Sequence, residues 1–140
     1  RTVPAAEFFR GTFTTALAPN EILVRIDLPP LPPGWRSGFY EFSRRKGDFA
    51  LAMALAALRI EGGTIREARL GVGGVADRVH KLGEVEAFLA GKPATAETFA
   101  EAATLAQGAV KVTSDIHASE AFRADLLGTV VRRALAEAAA

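Results

Sequence analysis

Residues 49–72 constrain the fold of this chain more than any other stretch. The run Phe49-Ala50-Leu51-Ala52-Met53-Ala54-Leu55-Ala56-Ala57-Leu58-Arg59-Ile60 is rich in alanine, and propensity alone would make it helical. Its larger side chains follow a different period. Leu51, Met53 and Leu55 alternate with alanines at spacing two, and Leu58 and Ile60 resume the alternation after a one-residue slip at Ala56-Ala57. A β-bulge produces such a slip, because one extra residue moves every later side chain by one place. Glu61-Gly62-Gly63 is a tight hairpin signal, and Thr64-Ile65-Arg66-Glu67-Ala68-Arg69-Leu70-Gly71-Val72 returns. The spacing predicts two antiparallel strands with a bulge at Ala56-Ala57.

Two further strands are expected upstream. In Ile22-Leu23-Val24-Arg25-Ile26-Asp27-Leu28 the residues Ile22, Val24, Ile26 and Leu28 share one face, which predicts a half-buried strand. Pro29, Pro30, Pro32, Pro33 and Gly34 form a stiff exposed connection, too short for a domain linker. A strand from about Trp35 to Arg45 puts Tyr40, Phe42 and Arg44 on one side and Phe39, Glu41 and Ser43 on the other.

The character then changes to helix. A short helix over residues 83–89 ends at Gly91, and Thr95 caps a second running to about Ala109 with Glu97 and Glu101 near its positive end. Ser119 caps a third, to about Glu137. Its stripes Phe122, Leu126, Val130 and Leu127, Val131, Leu135 cover one broad face, and Arg132-Arg133 near its end suit the helix dipole. Strands followed by helices predict an α+β fold: an antiparallel sheet of three to four strands in the N-terminal half, packed against three helices in the C-terminal half. The 140 residues form a single domain, with residues 1–18 as a lead-in, 19–75 as the sheet and 76–140 as the helical layer.

Composition excludes several functions. A net charge of +1 lacks the basic excess of a nucleic-acid binder. Without cysteine there is no disulfide, thiolate nucleophile or thiolate-held cluster. His80 and His117 lie in different loops without metal-site spacing, so no metal site is expected. No apolar run reaches membrane-spanning length and no signal peptide is visible, so the expected location is cytoplasmic. A start at Arg1-Thr2-Val3-Pro4 instead of methionine fits a processed piece, an excised domain or a chain lacking its first residues.

Few residues carry chemistry. Gly71-Val72-Gly73-Gly74 lacks the ending of a phosphate loop and reads as a bent strand end. Asp77 with His80, and Asp115 with His117, read as solvated or turn-forming loop residues, Asp115 as a turn or cap before the last helix. No nucleophile elbow or carboxylate pair stands out, so no catalytic residue is assigned. What remains is Tyr40, the single tyrosine, followed by Arg44-Arg45-Lys46 and a Gly47-Asp48 turn. This is either a strand end with solvated cations or one wall of a pocket for an aromatic, negatively charged ligand. A flavin suits the second reading, since its ring packs on aromatics or accepts a phenol hydrogen bond, and cations stabilise the reduced, anionic ring and the pyrophosphate.

In order and spacing, several segments together resemble one family. Arg1-Thr2-Val3-Pro4 with Phe8-Phe9 and Gly11 is followed by Thr15-Ala16-Leu17 through Glu21-Ile22-Leu23, a T-x-L-x-x-x-E-I-L run. Residues 40–50 carry Y-x-x-x-x-R-x-G-D-x-A, and Gly63-Thr64-Ile65 with Ala68-Arg69 lies in the hairpin. Gly73-Gly74-Val75-Ala76-Asp77, then Asp115-Ile116-His117-Ala118-Ser119 with Phe122-Arg123, complete the set. The chain resembles, over nearly its whole length, the C-terminal domain of the FAD-binding medium subunit of molybdenum hydroxylases, the xanthine dehydrogenase and aerobic carbon monoxide dehydrogenase family. Val79 and His80 depart from it, standing where relatives often have a proline.

The resemblance implies a domain that leans over an FAD gripped mainly by an N-terminal domain outside these residues. It implies electron flow from a molybdenum centre through iron–sulfur clusters, both in partner subunits, to that flavin. Carried over, Tyr40 lies near the isoalloxazine ring, with Arg45, Lys46 and Asp48 bordering it. Tyr40 then positions and tunes the flavin, since several relatives have lysine at its place. The domain alone is not expected to be catalytic, nor to insert in a membrane. Two other readings stay open: a subunit-docking module of the same complex with little flavin contact, and an unrelated small α+β binding domain.

Overall fold

The computed structural model describes residues 1–140. A one-turn helix α1 (Ala5–Phe8) leads into a small hairpin of β1 (Phe9–Gly11) and β2 (Thr14–Thr15). The main sheet has four antiparallel strands in sequential order: β3 (Trp35–Phe42), β4 (Ala52–Glu61), β5 (Thr64–Gly73) and the short β6 (His80–Lys81). Helices α2 (Gly83–Leu89), α3 (Ala96–Ala109) and α4 (Glu120–Ala139) follow. Helix α4 lies across β3 and β4, α3 packs on α4, and α2 packs on β5 and α3. The expected α+β architecture is therefore the observed one.

The alanine-rich run is a strand, but its bulge is elsewhere. Its inward face is Ala52, Ala54, Ala56 and Leu58, all buried, while Met53 and Leu55 point to the opposite face. Alternation continues without a slip through Ala56-Ala57, and the pairing with β5 shifts instead between Arg59 and Ile60. Methyl-sized side chains under α4 let the helix approach the sheet closely. Gly38 on β3 carries this furthest, since a Cβ there would lie 2.6 Å from the Ala138 backbone nitrogen and closer still to the Ala134 carbonyl oxygen. The hairpin tip Gly62-Gly63 has both residues at positive φ, 56° and 76°, which glycine adopts without steric cost. Leu58, Ile65, Leu89, Leu127, Val130, Val131 and Leu135 form the fully buried centre.

Helix starts follow their caps. Thr95 accepts from the Thr98 N–H at 3.4 Å and Ser119 from the Phe122 N–H at 3.3 Å. Helix α4 runs to Ala139, which leaves Arg132 and Arg133 more than a turn from its end rather than at the dipole terminus. Phe122 stays half-exposed and meets the edge of Phe42 at 6.2 Å between ring centres, rather than joining the buried stripe. The strand expected to reach Arg45 stops at Phe42. The largest correction is at residues 22–28, which carry no helix, turn or bend, join no sheet and leave their apolar face exposed.

Candidate functional site

Tyr40 lies two residues before the end of β3, on the face that meets α4. Its ring is half-buried beneath the guanidinium of Arg133, 4.6 Å from the ring centre, and the Tyr40 hydroxyl accepts a hydrogen bond from Arg133 Nη1. A phenol oxygen that accepts from a cation has its own proton free to donate elsewhere, and the cation makes it a better donor. Sequence reasoning missed this role of Arg133. On one strand and one helix far apart in sequence, the pair had no local signal, although Arg133 breaks the apolar pattern of the α4 face.

The strand end leads straight into the cationic turn. Ser43 Oγ donates to the Arg45 carbonyl at 2.9 Å, the Asp48 N–H donates to the same carbonyl at 3.0 Å, and Leu51 N–H returns to the Phe42 carbonyl at 2.9 Å. Gly47 sits at φ 90°, in the left-handed region, and so permits the reversal. Arg44, Arg45, Lys46 and Asp48 are all exposed, and none takes part in an ion pair. The turn thus brings Arg45, Lys46 and Asp48 together by backbone bonds. No side-chain hydrogen bond or ion pair joins Tyr40 to them; the chain connection alone places it nearby.

A donor set of one phenol O–H and three unpaired cations fits an acceptor-rich, anionic ligand such as a flavin. The same turn holds no nucleophile with a base. No group of three or more His, Cys, Asp or Glu is arranged to hold a metal.

A second polar cluster is structural. Arg123, buried on α4, donates through Nη1 to the Gly74 carbonyl at 2.7 Å and through Nη2 to Asp115 Oδ2. Asp115 Oδ1 accepts from the His117 and Ala118 N–H groups at 2.8 and 3.0 Å, the turn role expected for it. Gly74 itself closes the bent strand end expected for Gly71-Val72-Gly73-Gly74, at φ 78° and where an added Cβ would lie 2.7 Å from the Ala50 carbonyl oxygen. Arg123 therefore ties the loop after β5 to the loop before α4.

The His117 N–H holds the Asp115 carboxyl below its ordinary range, helped by Arg123 and the Ala118 N–H and opposed by desolvation. A depressed folded-state value means that its stabilising contribution is complete above the ordinary aspartate range. It is lost as pH falls through the lowered value. Acidification below the ordinary range is thus expected to cost Asp115→Asn less stability than the unmodified domain, read from urea midpoints across pH.

Asp77 and His80 are 3.8 Å apart at Oδ1 and Nε2, beyond hydrogen-bond range, and no third group completes an acid–base set. No helix is long and apolar enough to cross a membrane.

The fold is an α+β module, with Tyr40 and Arg133 stacked where α4 crosses β3 and an exposed cationic turn following that strand. The family model for the CO dehydrogenase flavoprotein C-terminal domain matches residues 37–138, and the chain belongs to that family. It is 33% identical to the nicotine 6-hydroxylase medium subunit of Paenarthrobacter nicotinovorans, over 100% of this chain and 49% of that protein. Its structure superposes on quinoline 2-oxidoreductase of Pseudomonas putida 86 with a TM-score of 0.92 and 39% identity, covering 99% of this chain and 48% of the other. A carbon monoxide dehydrogenase of Hydrogenophaga pseudoflava, solved without the Mo-pyranopterin moiety of its molybdenum cofactor, gives 0.92 and 33% over 99% and 48%. The chain spans about half the length of the curated relatives it matches. Family membership excludes an unrelated α+β binding domain.

Proposed function

We propose that this domain is the C-terminal part of the FAD subunit of a molybdopterin-dependent hydroxylase or dehydrogenase, and that it closes the isoalloxazine side of the flavin pocket. The observation that carries the reading is the Tyr40 hydroxyl, held by Arg133 with its proton free, beside a turn of three unpaired cations. Membership of a flavoprotein family supports it. Tyr40 supplies the aromatic surface and the donated proton. Arg45 and Lys46 supply positive potential, and Asp48 holds the turn through its N–H to Arg45.

When bound, FAD supplies an electron relay between the iron–sulfur clusters of a partner subunit and the final acceptor. The chain's own part is to orient the ring, exclude water from one side and set the local charge. Its partners are then an FAD-gripping N-terminal domain, an iron–sulfur subunit and a molybdenum subunit. Relatives named for nicotine, quinoline and carbon monoxide match this chain at 33, 39 and 33% identity, so these matches single out no substrate.

Tyr40→Phe and, separately, Arg45→Ala in the full-length medium subunit test the proposal. Each is expected to alter the flavin absorption spectrum and to slow flavin reduction, with subunit assembly intact. One observation favours the docking reading: the sheet face away from α4 exposes Phe39 and Leu55. If flavin occupancy, spectrum and reduction rate were untouched and assembly failed, docking would be the better account.

A further inference from the structure

We infer that residues 21–28 are a strand donated to a second sheet, and that this sheet belongs to the other half of a medium subunit, the half outside these residues. The segment has the pattern of a half-buried strand, yet Ile22, Val24, Ile26 and Leu28 are 83, 90, 69 and 85% exposed. Removing aliphatic surface from water is the main favourable term in folding, so four open side chains on one face leave a large stabilisation unrealised. Alternate residues, Arg25 and Asp27, pair with each other at 3.0 Å on the opposite face, as neighbours on the solvent side of a strand do.

The backbone is as unpartnered as the side chains. Residues 22–31 make no backbone–backbone hydrogen bond and carry no helix, turn or bend. An apolar run with period-two patterning and both edges free presents a row of unpaired N–H and C=O groups that another sheet can pair with.

The arm is tied at its start and bounded at its end. At its start Glu21 receives Arg1 Nε at 2.7 Å, Arg1 Nη2 at 2.6 Å and the Ala18 N–H at 2.8 Å. Arg1 holds the Glu21 carboxyl down to about 2, so this clasp is ionised throughout the physiological range. At its far end Pro29 and Pro30 cannot donate to a ladder, which limits the strand to the segment before them. Between the arm and residues 1–17 lies a cleft of about 1080 Å³ lined by Val3, Phe8, Leu17 and Leu23, continuous with the open face.

The occupant follows from what each comparison covers. The C-terminal domain model begins at residue 37, after the arm, whereas the curated relative matches all 140 residues and is about twice as long. The arm therefore belongs to medium subunits but not to their C-terminal module. The remaining polypeptide is large enough to carry a sheet with a free edge and an apolar face.

Hydrogen exchange on a full-length medium subunit carrying this domain tests the inference without reference to flavin. The amides of residues 22–28 are expected to exchange at least 100-fold more slowly than unstructured peptide, independent of protein concentration. Val24→Asp or Ile26→Asp is expected to abolish that protection, while Arg25→Ser and Asp27→Ser preserve it. Exchange at the unstructured rate in the unmodified subunit would overturn the inference. So would protection that appears only as concentration rises, since a second copy would then be the partner.

Discussion

Replacing Gly38 by alanine is expected to destabilise the domain by about 3 kcal/mol or more, at the upper end of what overpacking costs. In an ordinary strand the same change would be stabilising by about 0.5–1 kcal/mol, because glycine loses more backbone freedom on folding than alanine. The sign reverses here because of what stands opposite. The new methyl group would meet the Ala138 nitrogen at 2.6 Å, the Glu137 Cβ at 2.9 Å and, closest of all, the Ala134 carbonyl. These are backbone and near-backbone atoms of a long helix, so no side chain can swing aside. Helix α4 would have to lift from β3, and with it the contacts of Val131, Ala134 and Leu135. Glu137 would move too, and its carboxylate accepts the outward Phe39 N–H of the edge strand at 3.0 Å. Urea unfolding of the two forms reads the difference; equal midpoints would mean that α4 is not seated as described.

The second large effect is expected at Arg123. Arg123→Met keeps the apolar stem and removes the guanidinium, so the loss reports its hydrogen bonds rather than its packing. Those bonds go to the Gly74 carbonyl and the Asp115 carboxylate. The Gly74 carbonyl would lose its charged partner. A loss of about 2–3 kcal/mol is expected, the worth of charge-assisted bonds from a buried donor. Loops 73–77 and 113–118 should also exchange their amides faster, because the Thr113 N–H to Val75 carbonyl bond lies between them at 3.0 Å. Unchanged stability together with unchanged exchange would show that the two loops are held by something else.

What was legible in the sequence was what local chemistry decides. The glycine pair after Glu61 marked the hairpin, and Thr95 and Ser119 marked two helix starts, because caps and turns are set within a few residues. Residues 49–60 showed the limit. Period two correctly identified a strand against helical propensity, but leucine and methionine drew attention to the wrong face. The buried face is the alanine one, because α4 comes too close for larger side chains, and that is a tertiary fact. Residues 22–28 showed it again: the pattern announces a strand, but no local signal says which sheet completes it. For the site, Tyr40, Arg45, Lys46 and Asp48 stood in one contiguous motif and could be named. Arg133 lies 93 positions from Tyr40 and joins it only through the packing of α4 on β3.

The midpoint potential of the bound flavin in the full-length medium subunit, unmodified and Arg45→Ala, tests the flavin-pocket account most directly. A cation beside the ring favours its reduced, anionic form, so removing one should make the potential more negative. About 20 mV is expected, roughly 1 kcal/mol for a two-electron couple, and high salt should shrink the difference. An identical potential in both forms at low salt, with FAD fully bound, would contradict a cationic turn at the flavin.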